Sequence, residues 1–233
     1  MDGRVLVVIP ARLGSTRLPR KVLLRETGKY LVQHVHERAI RIPGADEVVV
    51  ATDDEAVLAA VESFGGRAVL TSPEHASGSD RAAEVARGRD VSLVVNLQAD
   101  EPEIEPADVA GLIAAMQPDV EMGTLVCERL TEAEQRDPSV VKAVVEKGWA
   151  RDFRREPTPG AARHLGIYAF RADFLQDYTR LPRTAREKER KLEQLRALDH
   201  GHSIRAVPAR YASIGIDTPE DYAEFVTRWR GGR

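Results

Sequence analysis

The sequence predicts an α/β fold, a sheet of parallel strands with helices on both faces. Short β-branched apolar runs recur through the first half, and amphipathic helical patterns separate them. That strand–helix alternation implies parallel strands joined by right-handed crossovers. With 233 residues, 42% of them hydrophobic, the chain can also fill the core of one large domain.

The elements follow in order. Val5–Ile9 is a buried strand closed by Pro10, and Tyr30–Arg41 is a helix with Leu31, Val35, Ala39 and Ile42 on one stripe. Val48–Ala51 is a second strand. Asp54–Phe64 is a helix stopped by Gly65-Gly66, and Arg67–Leu70 is a short strand. A helix over Ser79–Arg87, capped by Ser79 or Asp80, leads to the strand Val91–Leu97 and the helix Pro106–Met116. The second half is less regular. Met122–Cys127, Val140–Glu146 and Leu165–Phe170 are expected strands, and a helix follows near Ala172–Tyr178. Thr184–His200 reads as one charged helix, Ile204–Val207 as a strand and Thr218–Trp229 as the last helix. Arg151–Ala162 is the least structured stretch.

Composition narrows the function. There are 34 basic residues against 37 acidic, a net charge of −3, which argues against a nucleic-acid partner. No apolar run reaches the roughly 18 residues of a membrane helix. The single cysteine, Cys127, sits in an apolar run and excludes an internal disulfide framework. A cytoplasmic protein without a membrane partner is expected.

In parallel sheets ligands bind beyond the carboxyl ends of the strands. The first such loop, Pro10 to Lys21, carries Arg12, Arg17, Arg20 and Lys21 around Gly14, Ser15 and Thr16. Small residues let backbone N–H groups approach an anion, and the cations neutralise it, so the loop suits a triphosphate. It lacks the Gly-Lys-Ser/Thr ending of a P-loop. Asp100, just past the strand Val91–Leu97, is well placed for a hard metal ion. On the residues alone, Ser77–Asp80 is a helix N-cap, Asp217–Asp221 is a helix start, and His164 and Tyr168 are packing residues. Arg151, Arg154 and Arg155 either favour a strongly negative acceptor or are solvated.

Five motifs carry a resemblance to the CMP-KDO synthetases (3-deoxy-manno-octulosonate cytidylyltransferases) along nearly the whole chain. They are Pro10-Ala11-Arg12 with Ser15-Thr16-Arg17-Leu18-Pro19-Arg20-Lys21, then His75–Arg81, then Asn96-Leu97-Gln98-Ala99-Asp100-Glu101-Pro102. The other two are Asp217-Thr218-Pro219-Glu220-Asp221, and the pair His164–Tyr168 and Leu192–Arg196. The resemblance implies a nucleotidyltransferase-like, Rossmann-like three-layer α/β/α domain spanning 1–233, its sheet mixed but mostly parallel. Residues 150–200 would contribute the acceptor pocket and a homodimer contact.

It also implies CMP transfer from CTP to a 3-deoxy-2-ulosonic acid such as KDO, a step of lipopolysaccharide precursor synthesis. By resemblance Arg12 and Lys21 grip the triphosphate, and Pro10, Ala11, Ser77, Gly78 and Gln98 complete the nucleotide site. Asp100 and Asp217 hold Mg²⁺, the expected cofactor. Arg155, His164, Tyr168, Glu193 and Gln194 line the pocket for a small anionic acceptor. The chain departs from the family at Arg20 and Ala99, where glycine is usual, and at Arg151, Asp152 and Arg154. The segment 157–163 is also shorter than usual. The arginines motivate an alternative acceptor, such as a phosphonate. A non-catalytic nucleotide-binding protein is disfavoured, because no metal carboxylate or loop cation is lost.

Overall fold

A computed structural model describes residues 3–15, 17–128, 130–211 and 213–232; Thr16 of the first loop lies outside them. The described residues form one nine-stranded sheet in the order β3-β2-β1-β4-β8-β5-β9-β7-β6. Its first half is parallel: β1 (Val5–Pro10) pairs with β2 (Glu47–Thr52) and with β4 (Leu93–Asn96), and β2 pairs with β3 (Ala68–Leu70). The second half is mainly antiparallel. There β8 (Ala162–Arg171) runs against both β4 and β5 (Met122–Cys127), and β6 (Lys142–Glu146) against β7 (Trp149–Arg154). Only β9 (Ile204–Pro208) restores a parallel pair, with β5. The sheet is therefore mixed as expected, but its parallel character belongs to the first half.

Strand β1 is apolar throughout because both of its faces are covered. Val5, Val7 and Ile9 join one core with α1 (Leu31–Ala39), α2 (Glu55–Ser63) and α4 (Pro106–Ala115). Leu6 and Val8 join the other with α3 (Gly78–Ala86) and α6 (Ala172–Tyr178). That alternation gives the three layers. In a third cluster α9 (Pro219–Arg230) buries Tyr222, Phe225 and Val226 against Leu18 and Leu31. Each such side chain contributes about 1.5–3 kcal/mol, and the packing ties the C-terminal helix to the first loop.

Three expectations need correction. The α3 cap is Ser77, not Ser79 or Asp80: the Ser77 Oγ accepts from Asp80 N at 3.2 Å, and Asp80 Oδ2 accepts from Ser77 N at 2.9 Å. The single helix expected over Thr184–His200 is broken into α7 (Ala185–Arg190) and α8 (Leu195–Asp199), with Lys191 left-handed at φ 53°. Arg151–Arg154, expected in a loop, lie on β7. Their charges obscured the strand, and neighbours satisfy them: Arg151 pairs with Glu146 at 3.2 Å, and Arg154 with Asp152 at 2.7 Å. A short helix, α5 (Glu132–Arg136), was not foreseen.

Candidate active site

Register assembles the site. Val8 lies opposite Asn96 and Pro10 opposite Ala51, so β1, β2 and β4 end at one edge of the sheet. The antiparallel β8 sets Tyr168 opposite Asn96 and His164 opposite Val126. Its entering end therefore reaches the edge where the parallel strands stop. Two cleft compartments open there and share Arg17, Gln98, Asp100 and Asp217.

The first compartment is polar, lined by Pro10, Arg12, Gly14, Ser15 and Lys21 beside the shared residues. It continues into a recess formed by Ala11, Ser77 and Gly78, with Arg12 and Gln98 common to both. Gly78 is closely packed at the first turn of α3. A Cβ there would stand 3.2 Å from Pro10 Cγ and 3.4 Å from Asn96 Nδ2, crowding the helix N-terminus off the end of β1. Arg81, part of the same motif, is a structural clip. It is buried and donates to Asp53 Oδ2 at 2.8 Å and to the Thr71 hydroxyl.

Asp100 and Asp217, 117 positions apart in sequence, meet at Lys21. The Lys21 ammonium donates to Asp100 Oδ2 at 2.5 Å, to Asp217 Oδ1 at 3.0 Å and to the Ile216 carbonyl at 3.0 Å. Arg17 reaches Asp217 Oδ2 at 2.8 Å. A backbone bond from Ile216 N to the Asp100 carbonyl, 2.9 Å, fixes the two loops together. Asp221, in its capping box with Thr218, also accepts from Asp217 N at 3.0 Å. Burial alone would lower the Lys21 pKa, but Asp100 and then Asp217 outweigh it and hold it above its ordinary value. Two carboxylates converging within 3.0 Å of one cationic atom are hard oxygen donors that fit Mg²⁺. Among the described residues no group of three or more His, Cys, Asp or Glu forms a metal cage.

The second compartment gathers the expected acceptor residues Arg155, His164, Tyr168, Glu193 and Gln194. Their chemistry is different: His164, Tyr168 and Gln194 are buried and joined to neighbours by hydrogen bonds. Thr124 Oγ1 gives its one proton to the Ile167 carbonyl at 2.7 Å, so His164 Nε2, 3.0 Å away, must donate to it. Burial lowers the His164 pKa to about 3, so the ring is neutral and its other nitrogen is an acceptor. The Tyr168 hydroxyl donates to Gln194 Oε1 at 3.1 Å, which orients the amide. Gln194 Nε2 and Glu193 Oε2 are buried without a hydrogen-bond partner among the described residues. Burial also raises the Glu193 pKa, opposed by the Ser77 and Ser79 hydroxyls and by Arg196. Unpaired buried polar atoms are costly, so these two are open to a polar ligand in the cleft.

The three arginines separate. Arg155 borders the cleft, but its guanidinium is spent on the carbonyls of Arg190 (2.9 Å), Pro138 (3.0 Å) and Lys191 (3.3 Å). Arg151 and Arg154 are not among the lining residues. The strongly negative acceptor that the trio suggested therefore loses its motive. Glu101 was missed as a cleft residue. It lines the second compartment with Oε2 unpartnered among the described residues, and burial, then Asp100, raises its pKa to about 7. A second carboxylate directly after Asp100 was the available signal, and it reads equally well as a loop cap before Pro102.

The chain resembles known proteins along nearly its whole length. Residues 6–204 match the family model described as cytidylyltransferase. The chain is 47% identical to a 3-deoxy-manno-octulosonate cytidylyltransferase of Anaeromyxobacter sp. (strain Fw109-5), over 94% of this chain and 93% of the relative. It is 44% identical to that of Geobacter sulfurreducens, over 96% and 98%, and 43% identical to that of Escherichia coli, over 93% and 92%. Among solved structures, a CMP:2-keto-3-deoxy-manno-octonic acid synthetase complexed with CTP superposes with a TM-score of 0.94 at 40% identity, covering 99% of this chain and 100% of the other. A nucleotidyl transferase from Methanothermobacter, at 18% identity, 99% coverage of both chains and TM-score 0.72, shares the fold.

Proposed function

The chain belongs to the 3-deoxy-manno-octulosonate cytidylyltransferases, and from that premise we propose how its cleft works. The reaction moves CMP from CTP to 3-deoxy-manno-octulosonate and releases pyrophosphate. The triphosphate lies in the first compartment along the loop from Pro10 to Lys21, with the base toward Ala11, Ser77 and Gly78. The sugar acid fills the second compartment. Its hydroxyls take up Gln194 Nε2, Glu193 Oε2 and the free nitrogen of His164, while Tyr168 holds the amide of Gln194 in place.

The anomeric oxygen of the acceptor then bonds to the α-phosphorus as the bond to the bridging oxygen breaks. Its proton passes to solvent, and pyrophosphate leaves with the electron pair. Arg12 and Lys21 neutralise that leaving group, so catalysis is mostly positioning and charge stabilisation. Mg²⁺, when held by Asp100 and Asp217, supplies charge neutralisation at the α-phosphate and acidifies the attacking hydroxyl. The observation that carries the reading is the meeting of Asp100 and Asp217 at the junction of the two compartments.

The reading extends to a homodimer in the cytoplasm serving lipopolysaccharide precursor synthesis. The family resemblance supports the dimer, and the lone, buried Cys127 suits a reducing compartment. The deciding experiment is pyrophosphate release by purified protein with CTP and 3-deoxy-manno-octulosonate, with and without Mg²⁺, beside a small phosphonate panel. Release that needs CTP, the sugar acid and Mg²⁺ together supports the reading. Undiminished release in EDTA removes the metal, and release with a phosphonate alone changes the acceptor.

A further inference from the structure

We propose that the Lys21 ammonium is the resident cation of the Asp100–Asp217 pair in the nucleotide-free protein, and that it must leave before a divalent ion can bind there. The role rests on the metal reading above and precedes any contact of Lys21 with phosphate. Three oxygens surround Lys21 Nζ at 2.5–3.0 Å: Asp100 Oδ2, Asp217 Oδ1 and the Ile216 carbonyl. Those two carboxylate oxygens are also the donors the ion requires. Mg²⁺ binds oxygen at about 2.0–2.1 Å, so an ion shared by both carboxylates would overlap the space that Nζ fills. Two cations cannot sit there together.

The site has reason to carry its own counter-charge. Asp100, Glu101 and Asp217 line one compartment. Without a cation, two carboxylates within reach of a single atom repel each other. Lys21 and Arg17 neutralise the pair, Arg17 from the outer oxygen of Asp217. The exchange also has a route. Lys21 lines the phosphate compartment with Arg12, Gly14 and Ser15, and its four-carbon stem lets the ammonium swing while Cα stays fixed. An arriving triphosphate offers the ammonium new oxygens and frees the carboxylates. Nucleotide binding and metal binding are therefore coupled, each raising the affinity of the other. Arg12, unlike Lys21, need not move from the carboxylates to meet phosphate.

The test is the affinity of the nucleotide-free protein for Mn²⁺, read by electron paramagnetic resonance of the free ion. It compares the wild type with Lys21→Met, Lys21→Gln, Lys21→Arg and Asp100→Asn. Removing the competing charge should tighten Mn²⁺ binding about 10-fold or more in Lys21→Met and Lys21→Gln, the scale of a partly buried charge pair. Lys21→Arg should stay near the wild type, and Asp100→Asn should bind far more weakly. Melting curves give a second readout. Without metal the two neutral variants should melt below the wild type, and Mn²⁺ should raise their melting points more than it raises the wild type's. Equal or weaker Mn²⁺ binding in both neutral variants, with Asp100→Asn still impaired, overturns the displacement and leaves the metal site standing. Unchanged binding in Asp100→Asn overturns the metal site and the displacement together.

Discussion

The two sides of the cleft solve the same problem with opposite chemistry. On the nucleotide side the functional groups are charged and ride on loops or, for Lys21, on the first residue of a short 3-10 turn, Lys21–Leu23. Arg12, Arg17 and Lys21 follow β1, Asp100 follows β4, and Asp217 precedes α9. Arg17, Lys21, Asp100 and Asp217 hold one another through ion pairs of 2.5–3.0 Å and can exchange partners when a charged ligand arrives. On the acceptor side His164 and Tyr168 sit on β8 itself, and Glu193 and Gln194 in the turn between α7 and α8. Those groups are buried, and their order comes from hydrogen bonds such as Tyr168 to Gln194 and His164 to Thr124. The difference teaches that one side is built to neutralise a polyanion and the other to match the hydroxyls of a sugar acid with oriented, buried polar groups. The two kinds of site should fail differently.

The largest expected effect is on the charged side. Asp100→Ala or Asp217→Ala should lower kcat by about 10²–10³ or more, as when one group that stabilises transition-state charge is deleted. Steady-state pyrophosphate release measures it. Equal loss from both variants, with acceptor KM much less affected, would mark the pair as one unit. A kcat within a few-fold of the wild type in either variant would break the comparison at its centre.

A smaller effect, confined to the other side, is expected from Gln194→Leu. It removes the unpartnered Nε2 and the acceptor of the Tyr168 hydroxyl together. An unmade buried hydrogen bond costs about 1–3 kcal/mol, so acceptor KM should rise roughly 10- to 100-fold, while CTP affinity, followed by titration calorimetry, stays within about 2-fold. A parallel loss of CTP affinity would show that the compartments are not separable.

That asymmetry also decided what could be read in the sequence. Loops after parallel strands gather their charges within a few positions, so Arg12, Lys21 and Asp100 stood out chemically before any relative was considered. The strand residues His164 and Tyr168 alternate with core neighbours and look like packing until Gln194, 26 positions beyond Tyr168, is folded against them. Asp217 was legible only as a helix start, because its partner is set by the packing of α9 on Leu18 and Leu31. The break at Lys191 had no local signal either. A charged run of good helix formers is interrupted because Arg155, just past the end of β7, captures the Arg190 and Lys191 carbonyls, and because Leu192 and Leu195 turn into the core.

Acid should expose the buried side next. His164 has a folded pKa of about 3, against an ordinary value of 6.5, because burial disfavours the imidazolium. The folded state therefore excludes a proton that the unfolded chain accepts below pH 6.5. The stability from this group is fully present above that value and is lost as pH falls toward 3. The slope approaches about 1.4 kcal/mol per pH unit. Urea midpoints between pH 7 and 4 should fall, and His164→Gln should flatten the decline by up to that slope. An unchanged slope would mean that other buried groups, such as His34 with its pKa lowered to about 4 by burial, govern acid unfolding.

The smallest effects concern backbone alone, and they compare the halves without touching the chemistry. Besides Lys191, two residues other than glycine lie in the left-handed region, one in each half: Arg20 at φ 56° in the first loop, and Lys147 at φ 51° in the β6–β7 hairpin, followed by Gly148 at φ 78°. Two successive positive φ angles between paired Glu146 and Trp149 make a type I′ turn, for which Asn-Gly is the favoured pair. Lys147→Asn should therefore raise stability by about 0.5 kcal/mol, readable as a melting-point rise of a degree or two. Arg20→Gly removes a similar strain but frees the unfolded chain, so its gain should be smaller. If Arg20→Gly proved the more stabilising of the two, the first loop would be paying for a strained backbone to present its charge, and the nucleotide side would be the more tensioned half of the molecule.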